Sequence, residues 1–168
     1  IYSKINTIEF KNVEDEIIKY IEKIKKKAIG KQTIMEKTKE NFILPIKGPI
    51  TSDYGYREDP MDKRKVFHYG IDIDAKENTE VLSSYSGKIK DLGEDVTLGK
   101  YILIDHGEGI ETKYCHLNKI NVKKGDSIEK GHVIAYSGNT GKSTAPHLHF
   151  EFMYMGDSKD PKEFIDMK

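Results

Sequence analysis

The stretch Ala145-Pro146-His147-Leu148-His149-Phe150-Glu151-Phe152, near the C-terminus, decides how the rest of the chain is interpreted. Aromatic residues two positions apart at its end indicate a β-strand. Residues i and i+2 of a strand point to the same face, so we expect His147 and His149 to project together while Leu148 packs on the opposite face. Two imidazoles on one face need partners, because an unpaired buried polar group costs free energy. Taken alone, the pair fits a structural role as well as a functional site.

A second cluster makes a functional site the better interpretation. The segment Phe67-His68-Tyr69-Gly70-Ile71-Asp72-Ile73-Asp74 alternates apolar and acidic residues, which favours a strand interrupted by a turn over a helix. His68 and Asp72 are separated by an even spacing, which places both side chains on one face of a strand. A further imidazole, His116, stands near the end of another alternating run, in Tyr114-Cys115-His116-Leu117.

These residues predict a catalytic zinc site. Two imidazoles and one carboxylate, with a fourth position open for water, are a usual protein contribution to such a site. The chain offers His68, Asp72 and one of the two histidines at 147 and 149 as ligands. The other histidine of that pair and His116 would then remain to transfer protons.

Four ordered motifs resemble the zinc endopeptidases of the lysostaphin and LytM type, peptidase family M23. The resemblance covers about residues 42–164. The motifs are Ser52-Asp53-Tyr54-Gly55-Tyr56-Arg57-Glu58-Asp59-Pro60, Phe67-His68-Tyr69-Gly70-Ile71-Asp72, Tyr114-Cys115-His116-Leu117 and Gly138-Asn139-Thr140-Gly141-Lys142-Ser143-Thr144-Ala145-Pro146-His147-Leu148-His149-Phe150-Glu151.

The resemblance implies both an activity and a set of roles. His68, Asp72 and His149 would hold Zn²⁺, while His116 and His147 would position water, move protons and stabilise the oxyanion. The division between acid and base within that second pair stays open. The implied reaction is hydrolysis of peptide bonds in the stems or cross-links of bacterial peptidoglycan, so we expect the protein to act outside the cell membrane, secreted or anchored in the envelope.

A non-catalytic function is the main alternative. Some proteins of this fold serve as scaffolds or activators, with envelope proteins as partners in division or spore-forming complexes. Those usually lack one or more of the metal ligands. All five site residues are present here, which favours the enzyme.

The sequence gives weaker support to two other functional sites, a catalytic Cys–His dyad and a phosphate-binding loop. Cys115 adjoins His116, which suggests a catalytic dyad, but neighbouring residues of a strand face opposite ways, so we expect Cys115 to be a small buried hydrophobic residue. The glycine-rich loop at residues 138–146 lacks the Gly-Lys-Ser/Thr ending of a phosphate-binding loop and precedes a strand rather than a helix. We expect it to form a wall of the substrate groove instead.

The composition excludes other function classes. The chain of 168 residues carries 28 basic and 28 acidic side chains, so no strong overall field favours nucleic acid as a partner. No apolar run approaches the roughly 18–20 residues needed to span a bilayer. Because the sequence begins with Ile1 rather than Met, we expect a fragment or processed form, with room for a signal peptide or membrane anchor upstream.

The chain is predicted to combine an accessory segment, residues 1–40, with a peptidase domain, residues 41–168. Within the first segment we expect extended backbone over residues 1–10, a helix from Asn12 to Gly30 and a connector over residues 31–40. From residue 42 we expect a mostly β domain of antiparallel sheets with the site in a groove. Its hairpins would include Ile110–Leu117 with the preceding strand, and Val122 with Ile128.

Overall fold

The computed structural model describes residues 2–38, 41–59 and 63–166. The chain divides into a helical unit and a β unit between residues 38 and 39, and each is described by itself. The elements are α1 (Tyr2–Thr38), β1 (Phe42–Ile43), β2 (Ile50–Ser52), β3 (Gly55–Glu58), β4 (Lys65–His68), β5 (Ile71–Asp74), β6 (Glu80–Leu82), β7 (Gly87–Asp95), β8 (Gly99–Asp105), β9 (Ile110–Ile120), β10 (Ser127–Ile128), β11 (Val133–Ser137), β12 (His147–Tyr154), β13 (Asp157–Lys159), a 3₁₀ turn (Pro161–Glu163) and β14 (Ile165–Asp166).

The helix α1 is longer at both ends than the sequence predicted. The prediction of extended backbone is wrong for residues 2–10, and the prediction of a connector is wrong for residues 31–38; residues 1, 39 and 40 lie outside the described ranges. Asn12 and Gly30 therefore lie inside the helix instead of bounding it. A glycine inside a helix costs only about 1 kcal/mol relative to alanine, and good helix formers follow Gly30, so the helix continues through it.

Apolar residues recur at three- and four-residue spacing along α1, and their side chains are about half exposed. The residues concerned are Val13, Ile17, Ile18, Ile21 and Ile24. Among the described residues, no helix combines the length and apolar character that a membrane crossing requires.

The β unit is built on antiparallel pairing, which confirms the predicted fold class. Ten of the described strands form one sheet whose main path runs β10-β7-β8-β9-β12-β5-β2. In addition, β11 pairs with β6 and β9, and β13 pairs with β12. The strands β3 and β4 form a separate hairpin, while β1 pairs with β14 in parallel.

Strand β12 occupies the middle of this sheet. It pairs with β9 along one edge, with His149 opposite Cys115, and with β5 along the other, with His149 opposite Asp72. Leu148 and Phe150, on its other face, are fully buried, as the alternation predicted. A central strand therefore places the His-x-His pair between β5, which carries Asp72, and β9, which carries His116.

The turn between β4 and β5 requires a glycine. A Cβ at Gly70 would lie 2.2 Å from the carbonyl oxygen of Phe150 in β12. This close approach lets the chain reverse directly against the central strand, so His68 at the end of β4 lies beside Asp72 in β5.

Strand β9 contains a bulge at the predicted catalytic histidine. Between the register pairs Lys100–Leu117 and Ile102–Tyr114, one residue of β8 faces both Cys115 and His116. His116 has a φ of 61°, a left-handed conformation that is uncommon for a residue other than glycine. A bulge redirects a side chain, and here it interrupts the simple alternation expected for residues 110–117.

One predicted hairpin is wrong. The turn at residues 123–126 does form, with the amide of Asp126 donating to the carbonyl of Lys123. However, β9 ends at Ile120, and Ile128 belongs to β10, which pairs with β7 rather than with the residues around Val122. The turn signal was local, whereas the partner of β10 is set by a distant strand.

Candidate metal centre

Three of the predicted site residues meet at one point. His68 Nε2 lies 3.0 Å from Asp72 Oδ1 and 3.0 Å from His149 Nδ1, and His149 Nδ1 lies 2.8 Å from Asp72 Oδ1. All three side chains are buried. The strand register explains the meeting, because Asp72 and His149 are cross-strand partners and the turn at Gly70 returns His68 to them.

The outer contacts of the two imidazoles assign their protons. His68 Nδ1 lies 2.8 Å from the carbonyl oxygen of Asp53, which can only accept a hydrogen bond, so Nδ1 donates. His149 Nε2 lies 3.2 Å from Glu151 Oε1, also an acceptor when ionised, so Nε2 donates there. In neutral rings, the nitrogens that face each other then carry lone pairs.

The result is a cluster of converging lone pairs that fits a cation. Two imidazole nitrogens and a carboxylate oxygen within 3.0 Å of one another repel unless a positive charge lies between them. Two His nitrogens and one Asp oxygen are a ligand set that suits zinc and leaves a fourth position open. The donor chemistry of the three residues therefore fits the predicted metal.

The negative charge of the cluster also favours a bound cation. Burial opposes ionisation of Asp72, but the neighbouring imidazoles of His149 and His68 hold the pKa of its carboxyl well below its ordinary value. Arg57 adds to this arrangement, because its Nη1 donates to Asp72 Oδ2 at 3.1 Å and to Ser52. The guanidinium thus occupies the outer oxygen and leaves Oδ1 directed at the two imidazoles.

The other two predicted residues, His116 and His147, lie next to this cluster. Their ring centroids are 4.7 Å apart, and His147 Nε2 is 3.6 Å from Asp72 Oδ1. Backbone carbonyls orient both rings: His116 Nδ1 is 2.7 Å from Thr140 O, and His147 Nδ1 is 2.8 Å from Ala145 O. Both Nδ1 atoms therefore donate to the loop before β12, and the Nε2 atoms are left for the groove.

His116 is held in its neutral form. Burial lowers its pKa to about 4, and the nearby imidazoles of His147 and His149 add to the effect, although the carbonyl of Thr140 opposes it. A neutral ring whose Nδ1 donates offers Nε2 as a proton acceptor near neutral pH. His116 therefore presents an unprotonated Nε2 to the groove near neutral pH.

All five residues line one groove of about 530 Å³. One wall comes from the β3–β4 hairpin, which includes Arg57 and Phe67, and another from residues 142–146, as predicted for the loop before β12. Lys142 and Asp59, which both line the groove, join the two walls through an ion pair of 2.6 Å. The groove is large enough for several residues of a peptide.

Cys115 does not belong to this groove. Its side chain is fully buried, and burial raises the pKa of the thiol well above its ordinary value, which disfavours the reactive thiolate. This agrees with the interpretation of Cys115 as a buried apolar residue and not as a nucleophile.

Two residues at the site had no predicted role. Arg57 and Glu151 both stand inside the quoted motifs, yet only the structure shows that they contact Asp72 and His149. The sequence does contain one signal for Glu151: it lies two residues after His149 in a strand and so projects to the same face.

Comparison with known proteins identifies relatives of this arrangement. Residues 66–161 match the model of peptidase family M23. Over 155 residues the chain is 32% identical to the peptidoglycan DD-endopeptidase ShyA of Vibrio cholerae, covering 92% of this chain and 36% of that protein. The chain spans 22–36% of the length of curated relatives such as this one.

Solved structures resemble the β unit as well. The catalytic domain of lysostaphin from Staphylococcus simulans matches with a TM-score of 0.63 and 35% identity, covering 68% of this chain and 89% of that one. The SpoIIQ–SpoIIIAH pore-forming complex contains a chain that matches with a TM-score of 0.67 and 25% identity, covering 76% of this chain and 92% of that one.

Proposed function

The chain belongs to peptidase family M23, and on that premise we propose that it is a zinc-dependent endopeptidase that hydrolyses peptide bonds in the stems or cross-bridges of bacterial peptidoglycan. The observation that carries the proposal is the convergence of lone pairs from His68, Asp72 and His149 at the floor of a groove. Two further imidazoles beside it supply the proton chemistry that hydrolysis needs.

The three converging residues would hold the metal through His68 Nε2, Asp72 Oδ1 and His149 Nδ1. When bound there, zinc supplies a Lewis acid that lowers the pKa of water and polarises the scissile carbonyl. The protein contributes the fixed orientation of its donors, because each of the three side chains is held from outside by Asp53 O, Arg57 or Glu151.

His116 and His147 would carry the proton transfers. Their Nδ1 atoms are tied to carbonyl oxygens, so proton exchange takes place at Nε2 of each ring. A neutral Nε2 takes a proton from attacking water, and a protonated Nε2 donates one to the departing amine or to the oxyanion. The two rings are adjacent, so both reach the same substrate bond.

Peptidoglycan is the proposed substrate because the relatives named above include a peptidoglycan DD-endopeptidase and lysostaphin. An extended peptide stem fits an open groove of this kind better than it would fit a closed pocket. The proposed place of action is outside the cell membrane, where such a polymer is found.

A scaffold function is the second candidate. It is favoured by one observation, the similarity to a chain in the SpoIIQ–SpoIIIAH pore-forming complex. Under this alternative the groove would bind metal without turnover, and an envelope protein would be the partner. The five candidate residues and their orienting contacts favour the enzyme over it.

The test is digestion of purified peptidoglycans with different cross-bridges, followed by mass spectrometry of the released fragments. Zinc-loaded protein should release peptide fragments near neutral pH, chelator should abolish the release, and added zinc should restore it. His149→Ala serves as the control, since it removes a ligand and leaves the groove walls in place. Equal release by the wild type and this variant from every wall type would contradict the enzyme and favour the scaffold.

The domain organisation stays a prediction. We propose that residues 41–168 form the peptidase domain and residues 1–40 an accessory segment. A truncated protein that begins near residue 41 should then fold and retain zinc binding. Aggregation of this truncated protein under conditions in which the full chain is soluble would show that the proposed boundary is wrong.

A further inference from the structure

A partly buried ion pair, between Glu151 and Lys113, lies behind the imidazole of His149. Glu151 follows His149 by two residues in β12 and is only 7% exposed. One carboxylate oxygen, Oε1, lies 3.2 Å from His149 Nε2, and the other, Oε2, lies 2.9 Å from Lys113 Nζ. Lys113 is the cross-strand partner of Glu151 in β9, so the sheet register sets this pairing.

Both oxygens of the Glu151 carboxylate are engaged. Lys113 Nζ donates to Oε2, and Oε1 faces His149 Nε2. A carboxylate paired with an ammonium group offers only acceptors, so it requires a proton on His149 Nε2.

The position of His149 explains why a side chain, and not a backbone carbonyl, accepts the hydrogen bond from its Nε2. His68 is oriented by a backbone carbonyl, that of Asp53. His149 lies on the central strand, which is paired with β5 on one side and β9 on the other, so neighbouring carbonyls are engaged in the sheet. A carboxylate on the same face, two residues along the strand, supplies the missing acceptor.

We infer that Glu151, held in place by Lys113, is a positioning residue that fixes the proton of His149 on Nε2 and so directs the Nδ1 lone pair at the metal position. The inference rests on the proposed function for the identity of the metal. It assigns Glu151 and Lys113 to the zinc affinity of the site, not to contact with the substrate.

Two measurements on the full chain test this role. The first is the Kd for Zn²⁺, obtained by competition with a chromogenic chelator. The second is the tautomer of His149 in metal-free protein, read from long-range ¹H–¹⁵N spectra of the imidazoles. A merely structural role would change stability but neither of these readouts.

The variants are Glu151→Leu, Glu151→Gln and Lys113→Met. Glu151→Leu removes the acceptor, so we expect the Kd for Zn²⁺ to rise about 10–100-fold and the Nδ1–H tautomer to appear. Glu151→Gln keeps an acceptor and should restore part of the affinity, and Lys113→Met should lie between this variant and the wild type. The matched control is Glu111→Leu in β9, which breaks the ion pair of Glu111 with Lys90 of β7 and should leave both readouts unchanged.

An unchanged Kd and tautomer in Glu151→Leu would overturn the inference, as would an equal effect of Glu111→Leu. If Glu151→Leu does not fold, Glu151→Gln and Lys113→Met decide the question, and wild-type values in both would overturn it. Neither readout needs peptide hydrolysis. A wild-type protein that binds zinc but releases no fragments would therefore contradict the proposed enzyme while leaving the positioning role of Glu151 intact.

Discussion

The groove contains two pairs of histidines that differ in which ring nitrogens the protein engages. In the inner pair, His68 and His149, an outer acceptor holds one nitrogen, and the other converges on Asp72. In the outer pair, His116 and His147, a loop carbonyl holds Nδ1, and Nε2 is left for the groove. Under the proposed function one residue type serves two chemistries, because the hydrogen bond that the outer nitrogen donates decides what the inner nitrogen can do.

The largest effects should come from the inner pair. His68→Ala and His149→Ala each remove one of three converging donors, so neither protein should retain stoichiometric zinc and both should lose all activity. Elemental analysis after chelator stripping and zinc reloading measures the first effect. Retention of one zinc per chain by His68→Ala would show that the inner pair does not bind the metal.

Removal of an outer imidazole should separate zinc binding from turnover. His116→Ala keeps all three converging donors, so it should retain zinc while its turnover falls roughly 10²–10⁴-fold, the usual contribution of a general acid or base. Elemental analysis and a peptidoglycan release assay on the same sample measure both quantities. Loss of zinc from folded His116→Ala would make the distinction between the two pairs untenable.

A smaller effect is expected at the residue beside the outer pair. Cys115 is fully buried and outside the groove, so Cys115→Ser should keep its zinc and nearly all its activity. The buried hydroxyl would cost about 1–3 kcal/mol of unfolding free energy if it finds no hydrogen-bond partner. Chemical denaturation measures this cost, and an inactive, folded, zinc-loaded variant would restore the thiol as a catalytic group.

The smallest effect concerns a histidine in neither pair. Burial lowers the pKa of His106, whose ring is bonded to Ser86 O and Thr112 Oγ1. The unfolded chain therefore binds a proton more readily, near pH 6.5, than the folded one. The stability contributed by the neutral His106 ring should be complete above that pH. It should be lost as the pH falls towards the pKa of His106 in the folded protein, by at most about 1.4 kcal/mol per pH unit.

Denaturation of the wild type and His106→Gln between pH 7 and pH 5 measures this contribution. The variant cannot titrate at that position, so its stability should fall less steeply with decreasing pH. Parallel profiles for the two proteins would show that burial alone does not perturb this ring, and would weaken the same argument for His116.

The inner cluster was predictable because its signals are local. Alternation around Leu148 and Phe150 placed two histidines on one face of a strand, and the spacing of His68 and Asp72 placed a carboxylate beside an imidazole. From the residues alone, either His147 or His149 could be the third ligand, and the family resemblance selected His149. In the structure His149 Nδ1 lies 2.8 Å from Asp72 Oδ1 and His147 Nε2 lies 3.6 Å from it, a difference that spacing alone does not give. The role of each ring stays a prediction.

The remaining features depend on distant contacts. The bulge that turns His116 towards the groove arises from a register shift against β8, and the partner of β10 is β7 instead of its sequence neighbour. The ends of α1 were predicted wrongly for a related reason. Asn12 and Gly30 are strong local signals for helix ends, but the helix-forming residues around them overrule these signals. Local patterns identify strands and ligands, whereas register and loop carbonyls determine their orientation.

The most direct test of the difference between the two pairs is a paired measurement on His147→Ala and His149→Ala. The two residues lie on the same face of one strand, two positions apart, so the substitutions are closely matched. For each protein, zinc content and fragment release from peptidoglycan are measured on one zinc-reloaded sample. We predict that His147→Ala retains one zinc per chain and loses turnover, while His149→Ala loses both. Equal zinc loss in the two variants, or turnover retained by His147→Ala, would contradict the account.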